Sequence, residues 1–252
     1  MSEHDLLERC RKCRGGNAES NVVWECLPVP GFGDLQSGQI KVTTIGFNPA
    51  IDEWLENRRW KPAQERLSII MDFQVVDREK LTDSHIQTAT GKRANYFMDL
   101  QRSWHPWFMP LEALLGRVNS LWSYGNGSVV HLDLVACPTR DRFGALHGDC
   151  RNSLMTNCKE HFLRTLEKLP AKTLLFLNGH WILDNLQHLD FKVRFDGGPD
   201  LITIEPQITG WRGSLTCGQI HFPFRCWSAP VGKLHPRLQV EVAIWLRGSL
   251  KG

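Results

Sequence analysis

Four apolar runs rich in β-branched and leucine residues set the frame of this chain. They cover residues 40–45, 129–136, 173–177 and 220–227, and each ends in turn residues. Stretches with helical spacing lie between and after them, at 111–121, 153–169 and 238–250. Short buried strands that alternate with amphipathic helices predict an α/β fold, with a mostly parallel sheet covered on both faces. Residues 1–26 read as a helix followed by a Gly/Asn/Ser-rich turn. The stretch from 51 to 110 is too long for a simple crossover. Its polar, aromatic-rich composition predicts a helical insertion that walls or covers a site. We therefore expect one domain over 1–252 with an insertion at roughly 51–110.

Composition narrows the class. With 30 Lys and Arg against 27 Asp and Glu, the net charge of +3 permits nucleic-acid binding through a local patch without demanding it. No run of eighteen apolar residues is present, and the first residues are polar and acidic. The expectation is a cytoplasmic protein with no membrane association, acting as a monomer. Ten Trp stand against two Tyr. Most tryptophans of a chain this size serve a core or a lid, and some can stack on a flat ligand.

Chemistry concentrates at the ends of the first and last runs. Gly46-Phe47-Asn48-Pro49-Ala50 closes the first with a tight turn that aims one short amide outward. The carboxyl edge of a parallel sheet is where open α/β proteins bind ligands. After the last run comes Gly232-Lys233-Leu234-His235-Pro236-Arg237, a loop carrying one histidine ahead of a helix. An amide that holds water and an imidazole that stabilises a leaving group suit hydrolysis. Taken alone, Asn-Pro after a strand is a common turn and His-Pro a common helix start. Their pairing in this order points to a site. His131, His147, His161, His180 and His221 lack such company and read as structural or surface residues.

With these strand ends located, the chain resembles the uracil-DNA glycosylase superfamily. Gly46-Phe47-Asn48-Pro49 is similar to the Gly-X-Asn-Pro first motif of its mismatch-specific and single-strand-selective branches. His235-Pro236-Arg237 is similar to the His-Pro-Ser second motif. The run from Val130 to Pro138 resembles the middle strand of the iron–sulfur branch, Thr-Asn-Val-Val-Lys-Cys-Arg-Pro, and Leu174 to Gly179 resembles the third strand. The resemblance covers roughly residues 25–250 apart from the insertion. It implies a three-layer α/β/α sandwich around a four-stranded, mostly parallel sheet. The implied activity is that of a monofunctional glycosylase, which flips a base out of DNA and hydrolyses its N-glycosidic bond. Asn48 would position the water, and His235 would donate to the carbonyl of the departing base.

Departures from the pattern matter for specificity. Where the iron–sulfur branch has an Asn four residues before the strand's Cys, this chain has Asp133. An amide matches the N3–H and O4 of uracil, whereas an ionised carboxylate only accepts and repels O4. Asp instead accepts from the exocyclic amine of cytosine. The expected base is uracil or, given Asp133, a modified cytosine, in repair or in defence against modified foreign DNA. Asp133 turned away to cap a helix or pair with Arg140 is the alternative. Arg237 replaces the family's Ser and, with Lys233, is a candidate phosphate contact. Leu234 and Leu238 are candidate wedges. Trp60 and Phe47, with Phe73 as a rival, are candidates to stack on the base.

Eight cysteines include the pair Cys10-x-x-Cys13. Cys137 with Cys150 or Cys158 would complete a ligand set in the order of the iron–sulfur branch, with Cys26 as a substitute. The spacing of the second pair departs from the family's. Three readings are open: a structural iron–sulfur cluster or a zinc ion, either of which would brace the fold, or buried free thiols. Catalysis itself is expected to need no cofactor. Two other functions fit the same outline. One is a DNA- or nucleotide-binding protein without turnover. The other is a nucleoside hydrolase, which would need neither Arg237 and Lys233 nor a wedge.

Overall fold

The computed structural model describes residues 13, 16–63, 65–98, 107–203 and 206–250. The chain divides into two compact units built from alternating pieces. The first draws on Met1–Leu35, Phe47–Ser103 and Leu132–Glu167, and the second on Gln36–Gly46, Trp104–His131 and Lys168–Gly252.

The strands are β1 (Gly31–Phe32), β2 (Val42–Gly46), β3 (Leu55–Glu56), β4 (Arg59–Trp60), β5 (Val129–Asp133), β6 (Leu174–Leu177), β7 (Lys192–Phe195), β8 (Asp200–Thr203), β9 (Ile208–Cys217) and β10 (Ile220–Trp227). The α-helices are α1 (Asp83–Ala94), α2 (Phe108–Val118), α3 (Gly148–Glu167), α4 (His180–His188) and α5 (Pro236–Ser249).

Strands β2, β5 and β6 are buried along their whole length. That is why their sequences read as unbroken apolar runs. β6 pairs in parallel with β2 on one side and with β10 on the other. The full order is β1-β5-β2-β6-β10-β9-β7, with β8 on β9. The sheet thus has eight strands rather than the expected four. The additions are β1 beside β5 and an antiparallel wing, in which β9 pairs with β10, β7 and β8. The fold is mixed α/β with parallel pairing at the centre of the sheet.

In the second unit two buried polar groups, Thr44 of β2 and His131 of β5, satisfy one another. Thr44 Oγ1 lies 2.6 Å from the Tyr124 hydroxyl and 2.7 Å from His131 Nδ1. Phe108 of α2 stands edge-on to both rings. His131 is a core residue of this network, as its lack of motif company suggests. Helix α2 packs on α5, and α4 packs on β6 and β10.

In the first unit the insertion departs from its expected helical character. Among its described residues it holds the β3–β4 hairpin, short 3-10 turns at Ile51–Glu53, Ile70–Phe73 and Arg78–Lys80, and the α-helix α1, with the start of α2 at its end. Asn57 and Arg58 take positive φ at the hairpin tip, where Asn is at home and Arg is not. Leu27, Ile70, Leu81 and Ile86 form its apolar centre. Buried Arg78 fastens the preceding segment by donating to the carbonyls of Trp24, Val23 and Cys26. Among the described residues no helix is long and apolar enough to cross a membrane.

Candidate active site

Asn48 stands two residues beyond β2, half-buried, in the first unit. Its Nδ2 donates to Pro49 O at 3.2 Å and to Thr139 Oγ1 at 3.0 Å. Thr139 in turn donates its hydroxyl hydrogen to Asp141 O at 2.6 Å. A hydroxyl carries one hydrogen, so Thr139 Oγ1 can only accept from Asn48. That fixes the orientation of the amide, which is otherwise ambiguous in oxygen and nitrogen. Both N–H groups are spent, and Asn48 presents Oδ1 alone. The platform under it is backbone-built, since Thr139 bridges to both Val22 and Ala50.

Phe47, beside Asn48, stacks on Phe143 with centroids 4.9 Å apart and planes 15° from parallel. One face of its ring is therefore already covered. Its carbonyl accepts from Val135 N at 2.8 Å, which ties the motif to the segment following β5. Asp133 closes β5 and is 4% exposed, and its backbone N–H donates to Pro30 O at 3.3 Å. Trp60 is half-buried on β4, where it pairs across the hairpin with Leu55.

The histidine loop belongs to the second unit. His235 is the N-cap of α5, with Pro236 in the first turn where its missing N–H costs nothing. The Arg237 backbone N–H donates to His235 Nδ1 over a long 3.4 Å. A ring nitrogen that accepts must carry the lone pair, so the proton of the neutral ring sits on Nε2. The exposed ring thus offers an Nε2–H donor. Lys233 and Arg237 are exposed, while Leu234 and Leu238 are half-buried.

Sequence reasoning missed the residue that braces this loop. Asn178, 3% exposed just beyond β6, accepts from Val231 N at 2.9 Å through Oδ1. Its Nδ2 is buried without a partner among the described residues. Gln239 reaches back from α5 to the carbonyls of Val231 (3.3 Å) and Leu234 (3.0 Å). Gly179 takes φ of 119°, a conformation disfavoured for other residues, and lies in ordinary contact with Pro230. The Asn-Gly pair after an apolar run was the available signal.

The described candidate thiols, Cys13, Cys137, Cys150 and Cys158, are all buried and all in the first unit. Burial pushes the Cys13 thiol up to about 11, and neighbouring Cys137 and Cys150 add to the rise. Burial followed by Cys137 also raises Cys158. The thiols therefore feel one another's charge. Even so, among the described residues no group of three or more His, Cys, Asp or Glu is placed to hold a metal ion. Cys10 lies outside the described residues. Cys26 is buried, and its thiol too is raised mainly by burial.

No protein-family model, curated protein or solved structure matches this chain.

Proposed function

We propose that this protein is a monofunctional DNA glycosylase that removes a pyrimidine base, favouring a modified cytosine over uracil. The observation that carries the reading is the Asn48 amide. Both of its donors are held inside the protein, so its free acceptor is suited to orient one water through a water hydrogen.

In the reaction, the glycosidic C–N bond breaks and its electron pair leaves with the base. The sugar gains oxocarbenium character, and the water held by Asn48 Oδ1 adds to the anomeric carbon. An amide is too weak a base to take the proton early. The proton is lost as the new C–O bond forms, and the departing base or solvent receives it. His235 Nε2–H donates to the carbonyl oxygen on which negative charge collects. A donor in this role is worth about 3 kcal/mol by analogy with oxyanion holes. Asp133 as a carboxylate accepts from the exocyclic amine of cytosine and disfavours the O4 of uracil. Arg237 and Lys233 meet phosphates beside the flipped nucleotide, and Leu234 or Leu238 fills the gap in the stack.

The test is abasic-site formation on oligonucleotides carrying uracil, cytosine or a panel of 5-substituted cytosines, in single and double strands. The expected result is alkali-labile cleavage at a substituted cytosine, with Asp133→Asn shifting preference towards uracil. Saturable binding with no abasic product on any substrate would replace this reading with that of a binding protein.

A further inference from the structure

The antiparallel wing of the second unit has two unlike faces. Pairing in register puts directly opposed residues on the same side of a sheet. On one side Val193, Leu215 and Phe222 line up, followed by Phe195, Gly213 and Phe224. Edge-on packing of Phe195 on Phe224 confirms that this face is apolar. The other side is read off the alternate positions. Lys192, Thr216 and His221 form one row, and Arg194, Ser214 and Pro223 the next. In the third row Arg212 lies opposite Arg225, and Asp196 donates its N–H to the Arg212 carbonyl. Thr216 Oγ1 lies 3.1 Å from His221 Nδ1 across the first row.

Over these three rows the polar face carries four permanent cations against one carboxylate, and the next row adds Asp200 opposite Gly210, where it accepts from Trp245 Nε1 at 2.9 Å. A sheet face that only has to stay wet mixes its signs. Here two arginines stand directly across from each other, a pairing that costs stability when nothing neutralises it. Arg225 is turned inward to Ser249 at the end of α5, through its Oγ at 3.0 Å and its O at 2.7 Å. Among the described residues, Lys192, Arg194 and Arg212 have no ion-pair partner. Lys192 and Arg194 are exposed and Arg212 is half-exposed. Three rows span about 14 Å at the usual strand rise. A nucleic-acid strand carries about four phosphates over that axial length. Guanidinium forks beside the hydroxyls of Ser214 and Thr216 are the donor set that phosphates take.

We propose that the polar face of the β7–β9–β10 wing, beyond the end that α5 covers at Gly210 and Arg225, is a sequence-independent binding surface for the sugar–phosphate backbone of nucleic acid, with Lys192, Arg194 and Arg212 as its main contacts. The surface is separate from the residues assigned above to base removal. The proposal does not require excision chemistry, because binding is measured without turnover.

The test is fluorescence anisotropy of a labelled 20-base-pair duplex of ordinary bases over a range of salt concentrations. It compares the full chain with R194Q/R212Q and with the charge-preserving R194K/R212K. Each phosphate contact contributes about 0.9 to the slope of log K against log salt. R194Q/R212Q is expected to lower that slope by between one and two and to weaken binding at least tenfold at low salt. R194K/R212K should keep the slope. An unchanged melting temperature checks that the glutamine variant is folded, and K192Q serves as a second, milder variant. Equal affinity and slope for wild type and R194Q/R212Q would overturn the proposal. So would no duplex binding by the wild type, or displacement of the duplex by polyglutamate of equal charge, which would identify an acidic protein segment as the partner.

Discussion

Replacing Thr139 by Val tests whether the Asn48 amide is held or merely present. Valine keeps the shape of threonine and removes the oxygen that accepts from Asn48 Nδ2 at 3.0 Å. The backbone bridges from Thr139 to Val22 and Ala50 do not involve that oxygen, so the platform survives. In the wild type, turning the amide over forfeits two hydrogen bonds, to Thr139 and to Pro49 O. At about 1 kcal/mol net each, the working orientation is favoured by about 2 kcal/mol. The variant keeps only the bond to Pro49 O, and the amide pivots about it. A water held by a pivoting acceptor spends less time aligned with the anomeric carbon. Losing one bond of placement, about 1–1.5 kcal/mol, corresponds to about a tenfold fall in kcat. KM should change less than twofold, because the ground-state contacts to DNA lie elsewhere. Thr139→Ser restores the hydroxyl and should return kcat to within twofold of wild type. Single-turnover excision on the preferred oligonucleotide reads this directly. If Thr139→Val turns over at the wild-type rate while Asn48→Ala does not, the held-amide reasoning is wrong.

Other expectations concern stability and thiol chemistry. A Cβ on Gly213 would lie 2.0 Å from Arg194 O and 2.9 Å from the Phe224 ring, so β7 would have to move. Gly213→Ala should cost about 3 kcal/mol, or roughly 6–12 °C in Tm, and a change under 2 °C in a thermal melt would contradict the packing described. The Cys13 thiol, raised to about 11 by burial, is protonated in the folded protein up to that pH, whereas an unfolded thiol ionises near 9. Its contribution to stability is therefore complete below pH 9 and is lost as pH rises towards 11, so Tm should fall through that interval. At pH 8 iodoacetamide should label half-exposed Cys217 before Cys13, Cys26, Cys158 and Cys226. Early labelling of Cys13, mapped by mass spectrometry, would contradict its burial.

The central strands were legible because burial on both faces leaves an unbroken apolar run, as in residues 173–177 against the observed β6. One boundary moved for a physical reason. The run at 129–136 continues past β5, but from Val135 onward its backbone turns to Phe47 and Val29. Helices α2, α3 and α5 lie within a few residues of the periodic stretches that predicted them. The wing was not among the expected strands because it carries no unbroken apolar run: β7 and β9 alternate apolar residues with Lys, Arg, Ser, Thr and Gly, as a sheet with one polar face does. Gly210 and Gly213 look like turn residues but are there for close approach, to the Trp245 ring and the Arg194 carbonyl. Asn48 and His235 were visible as short motifs in the segments that follow strands. Thr139 and Asn178 were not. Their roles come from contacts 91 and 53 residues away along the chain, which no local pattern encodes.

The most direct measurement is single-turnover abasic-site formation by the wild type and Asn48→Ala on the same panel of modified-cytosine and uracil oligonucleotides, with DNA affinity measured in parallel. The prediction is alkali-labile cleavage at one base by the wild type, reduced at least a hundredfold in Asn48→Ala with affinity changed less than threefold. Cleavage at an equal rate by both proteins, or by neither, would contradict the role assigned to Asn48.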